Sequence, residues 1–199
     1  MLDVDPSARR SEDFYPTPSF MTRALRRRVQ LTWAGARLVE PCCGDGAIVR
    51  ELPAGLDVLT NDIVIRPPAI PEFTLDARQG TTWDAFRLTG RLSVCVTNPP
   101  FDQAFDIAAQ ALEAVDVGLI LLLRLSWLEP TEERGPWLQL HPPTRLIVMP
   151  RHDFRGNGKT DSVSAAWLIW DKCGGGLCRP GVEVVTKRER DELARESAA

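Results

Sequence analysis

Arg37-Leu38-Val39-Glu40-Pro41 runs directly into Cys42-Cys43-Gly44-Asp45-Gly46. An apolar, extended-prone segment stops at a proline, and two glycines spaced by one residue let the backbone turn tightly after it. The stretch reads as a strand over 37–41, a glycine loop, and a helix over about 46–52. Outward from it the same alternation repeats. Residues 57–62 and 73–76 read as the next two strands, and 81–88 as a helix. A β-branched segment over 92–97 is cut off at Asn98-Pro99-Pro100. Phe101, Phe105, Ala108, Leu112 and Val115 recur at helical spacing, which predicts a helix over 101–115. Val117 to Leu123 is a run of seven apolar residues. A bilayer needs about twenty, so this run is a strand buried on both faces, as at the centre of a parallel sheet. A helix over 132–140 and strands over 144–149 and 162–170 follow. Residues 182–199 open as a possible strand and end as a charged helix. Seven strands with helical crossovers predict an α/β fold. It is a doubly wound, mostly parallel sheet with helices on both faces.

The 199 residues, 44% hydrophobic and 26% charged, have the balance of an ordinary soluble domain. That balance excludes a fibre, a disordered tail and a membrane span. The proline-rich stretches at 66–71 and 141–143 read as loops, so 1–199 is expected to be one domain: a leading segment over 1–36, a core over 37–170 and a tail over 171–199. No basic region followed by an apolar run stands after Met1, and a cytoplasmic location is expected. A net charge of −3 argues against a protein that lives on non-specific phosphate contacts. The charge is uneven, however, with Arg23, Arg26, Arg27 and Arg28 clustered. That cluster reads as a solvated helix face, with a phosphate-contacting edge as the alternative.

Five cysteines are an odd number without an export signal, so no disulfide framework is expected. Cys173 and Cys178 flank three glycines, and His141 and His152 are the only histidines. That set lacks the paired ligand spacing of a zinc site, and no metal is expected.

In a doubly wound sheet, ligands bind past the carboxyl ends of the strands where strand order reverses. The first such position is Glu40-Pro41-Cys42-Cys43-Gly44-Asp45-Gly46, whose backbone can pass close to a ligand. Asp62, followed by Ile63, ends the second strand and can accept both ribose hydroxyls of an adenosine-containing cofactor. Asp76 ends the third and can reach an adenine edge. A dinucleotide fingerprint would need glycine at position 49, where Val49 stands. Gly156-Asn157-Gly158-Lys159-Thr160 ends like a phosphate-binding P-loop, but Asp153 replaces its first glycine and a strand follows where a helix is needed. Asn98-Pro99-Pro100-Phe101 is the most specific signal. Two prolines stiffen the backbone and fix the Pro99 carbonyl, and the Asn98 side chain adds a second acceptor. Two acceptors converging on an exocyclic amine, with Phe101 as a stacking face, make a nucleobase pocket.

These motifs resemble those of the class I methyltransferases that use S-adenosylmethionine, and more narrowly the amino-methylating DNA methyltransferases. Asp13-Phe14-Tyr15-Pro16-Thr17-Pro18 is similar to the family's leading cofactor motif, residues 40–46 to its glycine loop, and residues 98–101 to its catalytic tetrapeptide. The order of the three resembles the gamma arrangement of adenine-N6 enzymes, over about residues 12–170. The resemblance implies a Rossmann-like fold and S-adenosylmethionine as cofactor, with Phe14 or Tyr15 packed near it. It implies methylation of adenine N6 in DNA by in-line attack, with Asn98 and Pro99 accepting the amine hydrogens. The base would leave the duplex and stack on Phe101. RNA guanine-N2 or adenine-N6 enzymes and protein-glutamine enzymes share the tetrapeptide, or a variant of it, and stand as the alternative. A binding module without activity is a further one.

Pro41-Cys42 looks like the nucleophile motif of cytosine-C5 enzymes, but it lies in the cofactor loop, and Cys42 and Cys43 are read as structural. Phe154, Arg155 and Lys159, in the polar loop after 150, are expected to contact the target base or its phosphates. Trp127 is a further candidate wall. Family members usually append a recognition domain after the catalytic strands. Only 171–199 follow the strand over 162–170, so recognition is expected from short loops or from a partner protein, or else the substrate is of another kind.

Overall fold

The computed structural model describes residues 15–31, 37–152, 164–174 and 176–196. The elements, in order, are α1 (Ser19–Arg26), β1 (Arg37–Glu40), β2 (Asp57–Thr60), α2 (Gly80–Leu88), β3 (Val94–Thr97), α3 (Ala104–Ala114), β4 (Gly118–Arg124), α4 (Arg134–Leu140), β5 (Arg145–Val148), β6 (Ala165–Asp171), β7 (Gly181–Val184) and α5 (Lys187–Arg195). One seven-stranded sheet runs β2-β1-β3-β4-β6-β5-β7. Strands β2, β1, β3 and β4 are mutually parallel. Strand β6 is antiparallel to both β4 and β5, and β7 is parallel to β5. The expected mostly parallel α/β sheet is present, with two differences of detail. Residues 73–76 make only a single bridge, Phe73 to Asn61, and the seventh strand is instead 181–184. The helix expected over 46–52 is reduced to a 3-10 turn at Val49–Glu51. Pro53 fixes where the turn ends, because a residue before proline is pushed to extended backbone and Leu52 has ψ 155°.

The central strands are buried on both faces, and their side chains alternate between two cores. Val94, Val96, Ile120, Leu122, Trp167 and Ile169 face Phe20, Met21 and Leu25 of α1 and Leu193 of α5. Cys95, Leu119, Leu121, Leu123, Leu168 and Trp170 face Trp83 and Phe86 of α2 and Ile107 and Leu112 of α3. The buried indoles are satisfied: Trp167 Nε1 donates to the Met21 carbonyl at 2.9 Å and Trp83 Nε1 to that of Ala77 at 2.8 Å. The apolar run of β4 begins at a glycine because a Cβ on Gly118 would lie 2.4 Å from the Trp170 carbonyl oxygen. No described helix is long and apolar enough to cross a membrane.

The arginine cluster is neither a solvated face nor a phosphate edge. Arg23 is buried and gives Glu51 a bidentate pair, Nε at 2.7 Å and Nη2 at 2.8 Å. Its Nη1 donates to the Leu193 carbonyl at 2.8 Å and to that of Glu196. Arg28 donates to Glu183 and Glu189, each at 2.5 Å, and Arg27 pairs with Glu196. The cluster therefore clasps α1 to β7, α5 and the turn after β1. Removing one partner of a buried pair leaves an uncompensated charge, so Glu51→Ala is expected to cost about 3–5 kcal/mol in chemical denaturation. The Arg23 guanidinium holds the Glu51 carboxyl below its usual range. Its contribution is thus full above the ordinary glutamate pKa and is lost as pH falls through the lowered one. The difference in stability between wild type and Glu51→Ala should shrink on acidification.

Candidate active site

Strand order reverses between β1 and β3, and a cleft of about 330 Å³ opens at their carboxyl ends. That is the size of a small-molecule pocket. It brings together most of the residues singled out in the sequence: Tyr15, Pro16 and Thr17, then Glu40, Pro41, Cys42 and Gly44, then Asp62, Ile63 and Asp76, and finally Asn98, Pro99, Pro100 and Phe101. Gly46 does not line it; with φ 80° it makes the turn that carries the loop away, and its N–H donates to the Cys43 carbonyl at 2.8 Å. Trp127 is not on the cleft wall. It is 7% exposed and packs edge-on against Trp137 and Trp170. Phe14, Phe154, Arg155 and Lys159 lie outside the described residues.

Two consecutive residues beyond β2 build the floor. Asn61 is fully buried, and its Nδ2 donates to the carbonyls of Pro41 at 2.8 Å and Leu75 at 3.0 Å, while its Oδ1 accepts from Leu75 N–H at 2.9 Å. Asp62 Oδ2 accepts from Gly44 N–H at 2.8 Å. Its Oδ1 accepts from Val64 N–H at 2.9 Å and from Arg66 Nη1 at 2.6 Å. A carboxylate oxygen has about two acceptor sites, so Oδ1 is filled and Oδ2 keeps one. With Arg66 in place the carboxylate can take one hydroxyl rather than two. Asp76 is likewise held by Arg78, with Nη2 at 2.7 Å. The sequence reading missed Asn61, Arg66 and Arg78. A polar pair directly after a strand, followed four residues later by arginine, was the available signal for the first two.

Glu40 is 2% exposed, and its Oε2 has no hydrogen-bond partner among the described residues. Burial, together with the charges of Asp62 and Asp45, pushes this carboxyl well above its usual range. A buried acid with an open oxygen at the floor of a cleft is a seat for a ligand cation. The Asn98 amide is fixed from outside the sheet. Its Nδ2 donates to the Tyr15 carbonyl and to Thr17 Oγ1, both at 3.1 Å. Both hydrogens are thereby used, and Oδ1 remains as the acceptor. The Pro99 carbonyl accepts from no donor among the described residues. Beside them the Phe101 ring is half-buried, with the Arg124 guanidinium 4.6 Å from its centroid.

The cysteines of the loop are poor nucleophiles. Burial is the chief cause that raises the Cys42 thiol far out of the reactive range and pushes Cys43 up to about 12. Cys95 is raised in the same way, and Cys178 is pushed up to about 11. All five cysteines are free and only Cys173 is exposed. A thiol reagent at pH 8 is therefore expected to label Cys173 alone in the native protein, and all five after denaturation. Rapid labelling of Cys42 would overturn its assignment as structural.

No protein-family model matches the sequence, and no curated protein does. Solved structures match by shape. A protein from Listeria monocytogenes described as a class I S-adenosylmethionine-dependent methyltransferase gives a TM-score of 0.60 at 12% identity, over 90% of this chain and 67% of its own. The methyltransferase subunit of a type I restriction-modification system from Streptococcus thermophilus gives 0.57 at 11%, over 94% and 53%. The M protein of the type I restriction enzyme EcoKI gives 0.57 at 11%, over 97% and 53%. The chain thus spans about half the length of these two subunits. The chain shares its overall fold with that class I S-adenosylmethionine-dependent methyltransferase from Listeria monocytogenes.

Proposed function

We propose that the protein transfers a methyl group from S-adenosylmethionine to an exocyclic amine of a nucleobase, adenine N6 in DNA. The observation that carries this reading is the fixed Asn98 amide. Its nitrogen is committed to Tyr15 and Thr17, so Asn98 Oδ1 and the Pro99 carbonyl stand as two acceptors at the wall of the cleft. An amine with two hydrogens matches two acceptors. Accepting both draws the nitrogen lone pair out of conjugation with the ring and makes it a better nucleophile. Both acceptors are preorganised, one by the rigid diproline and one by the segment at 15–17, so little reorganisation accompanies the reaction.

The cleft fits the cofactor. Glu40, with its open buried oxygen, suits the ammonium of the methionine moiety. Asp62 Oδ2 suits a ribose hydroxyl, Ile63 and Asp76 line the adenine end, and the glycine loop lets the backbone approach. S-adenosylmethionine supplies a methyl on a cationic sulfur. The chain's part is to orient the amine, to exclude water and to stabilise, through its two acceptors, the positive charge that grows on the nitrogen; the methylated nitrogen then gives its proton to solvent. Phe101 offers a stacking face to a base withdrawn from a duplex. The similarity to modification subunits of type I systems supports DNA as substrate and a separate specificity protein as partner. Phe154, Arg155 and Lys159 remain candidates for contact with the base.

With labelled cofactor, transfer to duplex or single-stranded DNA is expected, and nucleoside mass spectrometry should find N6-methyladenine; label only in RNA or peptide would move the substrate. Asn98→Ala is expected to lower kcat about 10²–10³-fold with the cofactor still bound. Asp62→Ala should instead weaken cofactor binding by about 1.5–3 kcal/mol, roughly ten- to 150-fold, in calorimetry. The opposite pattern would refute these roles.

Glu40 makes a further test. At a pH below its raised pKa, the Glu40 carboxyl is protonated in the free protein and must ionise to hold a cation. Between the ordinary glutamate pKa and the raised one, binding therefore releases a proton and tightens as pH rises. Calorimetry in buffers of different ionisation heat should detect that proton in wild type and not in Glu40→Gln.

A further inference from the structure

Three arginines around the cleft each have a carboxylate of their own: Arg50 with Asp45, Arg66 with Asp62 and Arg78 with Asp76. Arg124 differs. It is the last residue of β4, the strand beside β3, and its guanidinium stands over the Phe101 ring at 4.6 Å. Among the described residues no carboxylate, carbonyl or hydroxyl accepts from that guanidinium, although the side chain is half-buried. The contact with the ring stabilises the charge and leaves the N–H donors facing solvent, where a ligand anion can replace water. Arginine keeps its charge at any working pH.

Position adds to the argument. Phe101 lines the cleft, and Arg124, just outside that lining, stands over one face of its ring, so the other face is the one left to a base. A base that enters such a cleft arrives with its backbone phosphate attached, and that phosphate must come to rest at the rim. The planar guanidinium fork matches two phosphate oxygens in one plane. We propose that Arg124 binds the phosphate of the nucleotide whose base enters against Phe101. The two residues then grip the two ends of one nucleotide, and Arg124 favours a nucleic acid over a peptide amide, which carries no such anion. The inference rests on the nucleic-acid reading given above and adds a residue to it.

The test uses the full chain with saturating labelled cofactor and the nucleic acid that accepts label, at several potassium chloride concentrations. Arg124→Gln is expected to raise KM for the nucleic acid about tenfold and to change kcat far less. It should also flatten the slope of log KM against log salt by about one. Arg124→Lys keeps the charge, so it should keep the wild-type slope while losing part of the affinity with the fork. Cofactor affinity by calorimetry should be the same in all three proteins, which also verifies that each is folded. If wild type methylates nucleic acid and both KM and slope are unmoved in Arg124→Gln, the phosphate contact is wrong and the proposed function stands. A fall in kcat alone, with KM and slope unmoved, also overturns it, because Arg124 would then only prop Phe101. If wild type modifies peptide and no nucleic acid, both readings fall together.

Discussion

The cleft depends on Asn61 and Asp62, two side chains that do the work of backbone. Beyond Thr60 the ladder between β1 and β2 ends, yet the segments on either side must be held in place where a ligand needs room. Asn61 ties the end of β1 to the segment around Leu75, and Asp62 ties the glycine loop to the same point. Each bond is buried or nearly so, where an unmade partner costs more than the bond itself contributes. The arrangement keeps the carboxyl ends of the strands apart while pairing the backbone groups of Pro41, Gly44 and Leu75. Without it the loop at 42–46 would have no fixed floor, and Glu40 would not be sealed beneath it.

Charge is handled in the same economical manner. The chain carries 24 basic side chains, and the described arginines near the cleft and on α1 are mostly neutralised by acids of the same chain. The leading cluster serves α5, and Arg66 and Arg78 serve Asp62 and Asp76. Among the described residues, the cleft and α1 therefore present no broad positive field, in keeping with the net acidity of the sequence. Affinity for a polyanion in such a protein must come from a few placed cations rather than from a general excess.

What the sequence disclosed, and what it hid, follows from the range of the interactions. The buried strand over 117–123 was legible because seven apolar residues in a row have few alternatives, and β4 falls on it within one residue. The tetrapeptide at 98–101 was legible because prolines act on their own neighbours. The expected strand at 73–76 was not formed, for a reason no local pattern carries: the N–H and C=O of Leu75 are taken by the Asn61 side chain instead of by a neighbouring strand. Arg23 was misread for a similar reason. Its partners Glu51 and Leu193 lie 28 and 170 residues away, and helical periodicity records only what is three or four residues off. Arg66 hid in plain view, since an arginine four positions after an acid reads as a surface pair anywhere except over a cleft.

The clasp between α1 and α5 has a consequence for how the molecule comes into being. A nascent chain leaves the ribosome in order, and domains close as their parts emerge. The core formed by α2 and α3 on β1, β3 and β4 draws chiefly on neighbouring segments and can close early. The opposite core cannot. Phe20, Met21 and Leu25 wait for Trp167 and Ile169 of β6 and for Leu193 of α5, and Arg23 Nη1 waits for the carbonyls of Leu193 and Glu196. Helix α1, synthesised before the strands it packs on, is thus among the last elements to be seated. Through Tyr15 and Thr17, just ahead of that helix, the orientation of the Asn98 amide is a product of late assembly, so a growing chain acquires its cleft before it acquires the geometry of its acceptors.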